Sequence, residues 1–242
     1  MADASRPQGA PSFPLLVPTL LLVGVGLLLG TGCVPYPAAT TAHPVDEDAS
    51  PSVSTSVYAI PNGIDLLRDS TALTDPGAEA FFGLDSSIRF RIDEDADLGV
   101  RIPTFSGFIL NYKHRLVGAD SSSFALAGMA GTGVVNFGLH WHVGATLVAS
   151  GPESALATPY GGLRGMQVIP LSESAVTDTP TLGGFVGLRI GDDAFGLTPE
   201  IGVYYDEPAL EVSQNQNVLF VPSLTIHGRG LLEGLFTPPR PW

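Results

Sequence analysis

The chain has 242 residues, of which 14% are charged and 44% hydrophobic, with 29 glycines and 21 prolines; this balance disfavours a helical protein and suits many strands joined by turns. A net charge of −13 with one lysine, Lys113, excludes the basic surface that neutralises nucleic-acid phosphates. The single cysteine, Cys33, excludes an intrachain disulfide and a cysteine-cluster metal site.

Residues 13–29 read FPLLVPTLLLVGVGLLL and lead into Gly30-Thr31-Gly32-Cys33. Past residue 32 no apolar run approaches the ~20 residues of a membrane helix, and this one ends on small residues, as a secretory signal does. Arg6 alone gives the segment ahead of it positive charge, offset by Asp3. The lone cysteine after Thr31-Gly32 resembles the lipobox of bacterial lipoproteins. That likeness implies a signal peptide over residues 1–32 and a lipid on Cys33 as the first mature residue. The match is partial, with Gly30 where that family usually has Leu and Leu29 one place earlier. Val34 follows the cysteine in place of the Asp that retains such proteins in the inner membrane, so the likeness implies sorting to the outer membrane. An ordinary signal peptide with an incidental cysteine, and an uncleaved amino-terminal helix, are the alternatives. Residues 33–56, rich in Pro, Ala, Ser and Thr with acids at Asp46-Glu47-Asp48, cannot bury a core of their own and are expected as a disordered tether.

From about residue 57 to 229 the pattern is one of short strands and turns. A weak first strand is expected near Gly63–Ser70. In Ser86–Ile92, Ile88, Phe90 and Ile92 alternate with Ser87, Arg89 and Arg91. Asp97–Pro103 sets Leu98, Val100 and Ile102 against Gly99 and Arg101, and Phe105–Leu116 sets Phe108, Leu110 and Tyr112 against Asn111 and Lys113. Ser123–Gly131 is rich in Ala and Gly. Phe137–Ala149 is the clearest strand, with Trp141, Val143 and Leu147 opposite His140, His142 and Thr146. Thr158–Ile169 is ambiguous in phase. Thr181–Gly191, Phe195–Tyr205 and Asn217–His227 alternate again, although Pro199 and Pro222 each remove a ladder hydrogen bond. Residues 230–242 read as a carboxy-terminal tail.

The expected fold is therefore all-β, an antiparallel up-and-down barrel of about ten strands, within a range of 8–12. Its facing is decided by charge. A sandwich core would not hold Arg89, Arg91, Arg101, Arg189 and Glu200 unpaired, whereas a barrel with its apolar face toward lipid places them in the lumen, where they form a charge network. The opposite facing gives the alternative, a lipid-anchored soluble barrel that resembles lipocalins and binds a hydrophobic ligand.

The phrases DADLGVRIPTFSGFILNYKHRL (Asp95–Leu116) and FGLTPEIGVYYD (Phe195–Asp206) resemble compact outer-membrane β-barrel proteins of Gram-negative bacteria. The resemblance runs from Tyr58 to about Arg229 and implies a non-enzymatic protein of the outer membrane, structural or narrowly channel-forming. Such chains usually end on a strand with an aromatic last residue, whereas GRGLLEGLFTPPRPW follows the last strand here. An even strand number returns both ends of the barrel to the periplasmic side, where a lipid on Cys33 is also expected. Membrane lipid is the expected partner, and no cofactor is implied.

No G-x-S-x-G elbow, Ser/His/Asp order or carboxylate pair stands out. Gly131-Thr132-Gly133 lies between strands with no helix after it and does not make a phosphate loop. Ser121–Ser123 beside Asp120 reads as a hydrated turn. His140 and His142, two apart on one strand face, could present two imidazoles to a metal, with His114, His227 or Glu200 as a third ligand; histidines are equally ordinary lumen fillers, and no metal is assigned.

Overall fold

The computed structural model describes residues 35–47, 50–60, 81–118, 123–154, 156–171, 180–192, 195–205 and 218–228. Its strands are β1 (Ser52–Ile60), β2 (Phe81–Asp93), β3 (Ala96–Pro103), β4 (Phe108–Val117), β5 (Ala125–Val135), β6 (His140–Ser150), β7 (Ala157–Pro170), β8 (Thr181–Gly191), β9 (Gly196–Tyr205) and β10 (Val218–His227). Each strand pairs antiparallel with its neighbours in sequence, and β1 pairs with β10 to close the ring. No sheet edge is left among them, so every strand can satisfy its backbone groups on both sides.

The alternation seen in the sequence has the expected facing. In β9, Leu197, Pro199, Ile201, Val203 and Tyr205 are exposed, while Gly196, Thr198, Glu200, Gly202 and Tyr204 are buried. In β4, Phe108, Leu110 and Tyr112 point out, while Ile109, Asn111 and Lys113 point in. Phe90, Leu98, Val143, Leu147, Val186 and Ile226 continue the outer apolar band on the other strands. The lipocalin-like facing is not what the chain adopts: leucines and isoleucines such as Leu98, Leu110, Leu197, Ile201 and Ile226 lie outside, and its buried side chains include Asp85, Asp97, Arg101, Lys113, Arg164 and Glu200.

The two ends of the ring differ. At one end the strands are joined by residues 94–95, 118–124, 151–156 and 192–195, and β1 begins and β10 ends there. At the other end residues 61–80, 171–180 and 206–217 make longer connections. Two tight turns share that end. Thr104 and Phe105 both have positive φ, as do Asn136 and Phe137, the backbone of the hairpin turns that match strand twist.

Both prolines lie where the ladder is interrupted. Around Pro199, β8 and β9 keep one register, from Gly187↔Glu200 to Ile190↔Leu197, with no paired residues between. The β1–β10 pairing ends at Tyr58↔Ser223, next to Pro222. The missing N–H groups are thus absorbed by local gaps without a shift of register.

The start of the barrel differs from expectation. The proposed strand Gly63–Ser70 falls outside the described residues, and the first strand is Ser52–Ile60, which begins in the stretch expected as tether and runs past its end at residue 56. Ser54, Ser56 and Tyr58 alternate there with Val53, Thr55 and Val57. Small serines on the inner face conceal the period because they carry little apolar contrast. Cys33, the signal segment 1–32, Ser121 and Ser122 with Asp120, and the tail 230–242 also lie outside the described residues.

Inward glycines make room for large inward side chains. A Cβ at Gly187 would overlap the ring of Tyr160, whereas one at outward Gly128 would meet only Leu116 Cδ1 at 3.7 Å. Gly187→Ala is expected to lower stability by roughly 1–3 kcal/mol through overpacking, while Gly128→Ala stays within about 0.5 kcal/mol of the parent. Urea unfolding midpoints of the two refolded variants check this contrast.

Candidate functional site: the occupied lumen

The lumen is filled by the chain's own residues 35–47. Tyr36, Ala38, Thr40, Thr41, Ala42 and His43 are all buried, and Ala42 is 0% exposed. None of these residues has alternating chemistry, and the segment is held mainly through its backbone. Pro35, Pro37 and Pro44 favour an extended path and remove N–H groups that would need acceptors. The small side chains between them let the segment pass along a narrow ring. The tether expected over 33–56 does not describe residues 35–47: this composition cannot build a core, but the barrel supplies one around it.

Wall residues grip the segment in sequence. Near the long-loop end the Tyr36 ring packs with Tyr58, Ile60, Met166, Tyr204 and Val221, its centroid 5.2 Å from that of Tyr204. The Tyr36 carbonyl accepts from the Tyr204 hydroxyl at 2.8 Å and from Arg164 at 3.0 Å. The Pro37 carbonyl accepts from Arg101 at 2.7 Å and Arg164 at 2.8 Å. Arg101 is also ion-paired with Asp85. At mid-height the Glu200 carboxylate accepts from the Ala38 and Ala39 amides at 2.8 and 2.9 Å, and from the Tyr160 hydroxyl at 2.7 Å.

Toward the short-turn end the partners change. The Ala42 amide donates to Ser150 Oγ at 2.6 Å, and the His43 ring contacts the Gly151 carbonyl at 2.9 Å. Lys113, the single lysine, donates to the carbonyls of Thr41 and His43 at 3.3 and 2.5 Å and pairs with Asp97 at 2.8 Å. Asp97 in turn accepts from the Val45 amide at 3.0 Å. Burying a charge is costly unless it is paired and hydrogen-bonded; here the segment's backbone provides much of that compensation.

Little space remains beside the segment. One cavity of about 50 Å³ borders Thr40, His43, Lys113, Arg189 and His227, and another of about 10 Å³ borders Asp85, Arg89 and Arg101. These are volumes for a few waters at most.

The residues named for a lumenal network are distributed unevenly. Arg101 and Glu200 are central, but Glu200 holds amides rather than an arginine. Arg89 reaches Met129 Sδ at 3.1 Å, and Arg189 donates to His227 Nε2 at 3.1 Å with Glu153 at 4.0 Å. Arg91 lies at the short-turn rim, where it donates to the Asp93 carbonyl at 3.1 Å. Asp85, Asp97, Lys113, Tyr160, Arg164 and Tyr204 complete the site and are not among the residues named for the network from sequence, although Lys113 stands out there as the single lysine. Arg164 was hidden by the uncertain phase of its strand, Asp85 and Asp97 by their places at expected strand ends.

The histidine candidates are not brought together around an ion. His142 is buried in the lumen, while His140 contacts Asn136 Nδ2 at 3.2 Å near the long-loop end. His114 is on the outer face, stacked against Tyr112. Among the described residues no three His, Cys, Asp or Glu side chains are grouped to hold a metal.

Comparison with known proteins gives remote likenesses. No protein-family model matches the chain, and no curated protein matches it. A crystal structure of Neisserial surface protein A (NspA) is similar at 16% identity and a TM-score of 0.33, covering 74% of this chain and 96% of that one. That of Ail, the attachment invasion locus protein of Yersinia pestis, has 12% identity and a TM-score of 0.28, covering 74% and 97%.

Glu200 gives the sharpest test of the site. Glu200→Ala leaves two amides and a hydroxyl without their acceptor and is expected to cost about 2–5 kcal/mol; Glu200→Gln retains one acceptor oxygen and should cost about 1–2 kcal/mol. Urea midpoints measure the loss, and limited proteolysis within residues 35–47 should accelerate in the same order.

Proposed function

We propose that the protein is a non-enzymatic outer-membrane β-barrel, closed to bulk diffusion by its own amino-terminal segment and acting as a membrane-embedded scaffold. The observation that carries this reading is a closed ring with an apolar band outside and a charged lumen inside, filled by residues 35–47. Lipid is the solvent that accommodates such a band over a whole ring of strands. Short turns at one end and longer loops at the other match the periplasmic and extracellular ends of such barrels. The lipid on Cys33 remains part of the proposal, resting on the lipobox-like Gly30-Thr31-Gly32-Cys33. Membrane lipid is the proposed partner.

A narrow channel is the second reading, favoured by the cations of the lumen. Arg89, Arg101, Lys113, Arg164 and Arg189 line it against Asp85, Asp97 and Glu200. With the segment in place, the residual cavities support a non-conducting state.

Purified protein in planar bilayers is expected to be electrically silent. A chain lacking residues 35–47 should give conductance steps with a preference for anions, because lumenal cations then outnumber acids. Steady steps from the full chain would favour the channel reading. Ile201→Arg, in the middle of the outer face of β9, is expected to cost about 2–4 kcal/mol in lipid vesicles, measured by urea titration of the refolded barrel.

A further inference from the structure

We infer that the lumen threads the chain so that Pro35 opens onto the long-loop side, opposite the start of β1 and the end of β10, and that the chain ahead of Pro35 is reached by reagents from that side. The inference rests on the outer-membrane reading above, under which the long-loop side is the cell surface.

Its basis is the direction of residues 35–47. Val45 is bonded to Asp97, in the first turn-proximal residues of β3, and His43 to Gly151, in the short turn after β6. Ala38 and Ala39 are bonded at mid-height to Glu200. Tyr36 packs against Tyr58 and Ile60 at the far end of β1 and against Tyr204 at the far end of β9. Read backward from β1, the chain therefore enters at the short-turn end and climbs the lumen toward the long loops.

Position along the strands gives the scale. Tyr58 lies six residues beyond Ser52, where β1 begins, so Tyr36 sits roughly 15 Å or more above the short-turn end for strands that rise ~3.3 Å per residue and tilt ~40°. Cys33 precedes Tyr36 by three residues, a reach of at most ~10 Å. That reach does not return it past Glu200, Ser150 and Lys113 to the short-turn side, because those wall residues already hold the chain that follows. Among the described residues, the cavities of about 50 and 10 Å³ beside the segment are too small for a second pass of chain. This path departs from the sequence expectation of a lipid on Cys33 at the periplasmic side, and the two are separated by the experiment below.

The test uses epitope tags in the full chain, read by antibody on intact and on permeabilised cells. One tag is inserted between Val34 and Pro35, one within residues 206–217 and one after Trp242. Staining of the first two on intact cells, with the third stained only after permeabilisation, is the expected result. Staining of the amino-terminal tag only after permeabilisation, with the 206–217 tag stained on intact cells, overturns the inference alone. Absence of the 206–217 tag from intact cells overturns the outer-membrane reading and the inference with it. If the insertion prevents folding, judged by loss of the compact band in unheated gels, Val34→Cys in a Cys33→Ser chain replaces it. A membrane-impermeant maleimide should then label intact cells at least tenfold above the Cys33→Ser parent; labelling only after lysis would refute the path.

Discussion

Charges that a closed ring removes from water must be given partners. Arg101, Lys113 and Arg164 are each at most 8% exposed, inside a wall whose described acids are few. The carbonyl oxygens of Tyr36, Pro37, Thr41 and His43 supply much of what these cations lack, and Glu200 and Asp97 receive the amides of Ala38, Ala39 and Val45. The exchange is mutual, since a backbone threaded through a dry space also needs every N–H and C=O satisfied. Ring and segment are therefore two halves of one polar core.

The rest of the architecture serves this core. Period-two alternation sends most of the large aliphatic side chains outward and leaves an interior of glycine, serine, threonine, tyrosine and charge around small apolar clusters. Glycines such as Gly187 admit the rings of Tyr160 and its neighbours, which reach inward to the segment or to Glu200. Pro35, Pro37 and Pro44 give the segment an extended course that presents its carbonyls to the surrounding wall. The outer band then faces whatever surrounds the ring, and lipid is the medium in which that face is at ease.

Much of this was legible in the sequence, and what was missed has a common cause. Strands β2–β4, β6 and β8–β10 announce themselves by contrast between successive side chains. The first strand does not, because Ser52, Ser54 and Ser56 face Val53, Thr55 and Val57 with little difference in polarity. Arg101 and Glu200 stand out because they are isolated charges on the polar face of a clear alternation. Arg164 does not, since Gly161, Gly162 and Gly165 around it leave the phase undefined. The threaded segment was read as a tether because its binding groups are amides and carbonyls, which every sequence carries. A usable signal was nonetheless present: three prolines in a run of small residues, directly ahead of a barrel whose expected lumen held more arginines than identified acids.

The mutual dependence of ring and segment is tested most directly by amide hydrogen exchange on the intact protein in lipid. Protection at Ala38, Ala39, Ala42 and Val45 should match that of the wall strands and collapse with them in a single unfolding transition. Exchange at those four amides at the rate of a free chain, while the strands remain protected, would contradict the account.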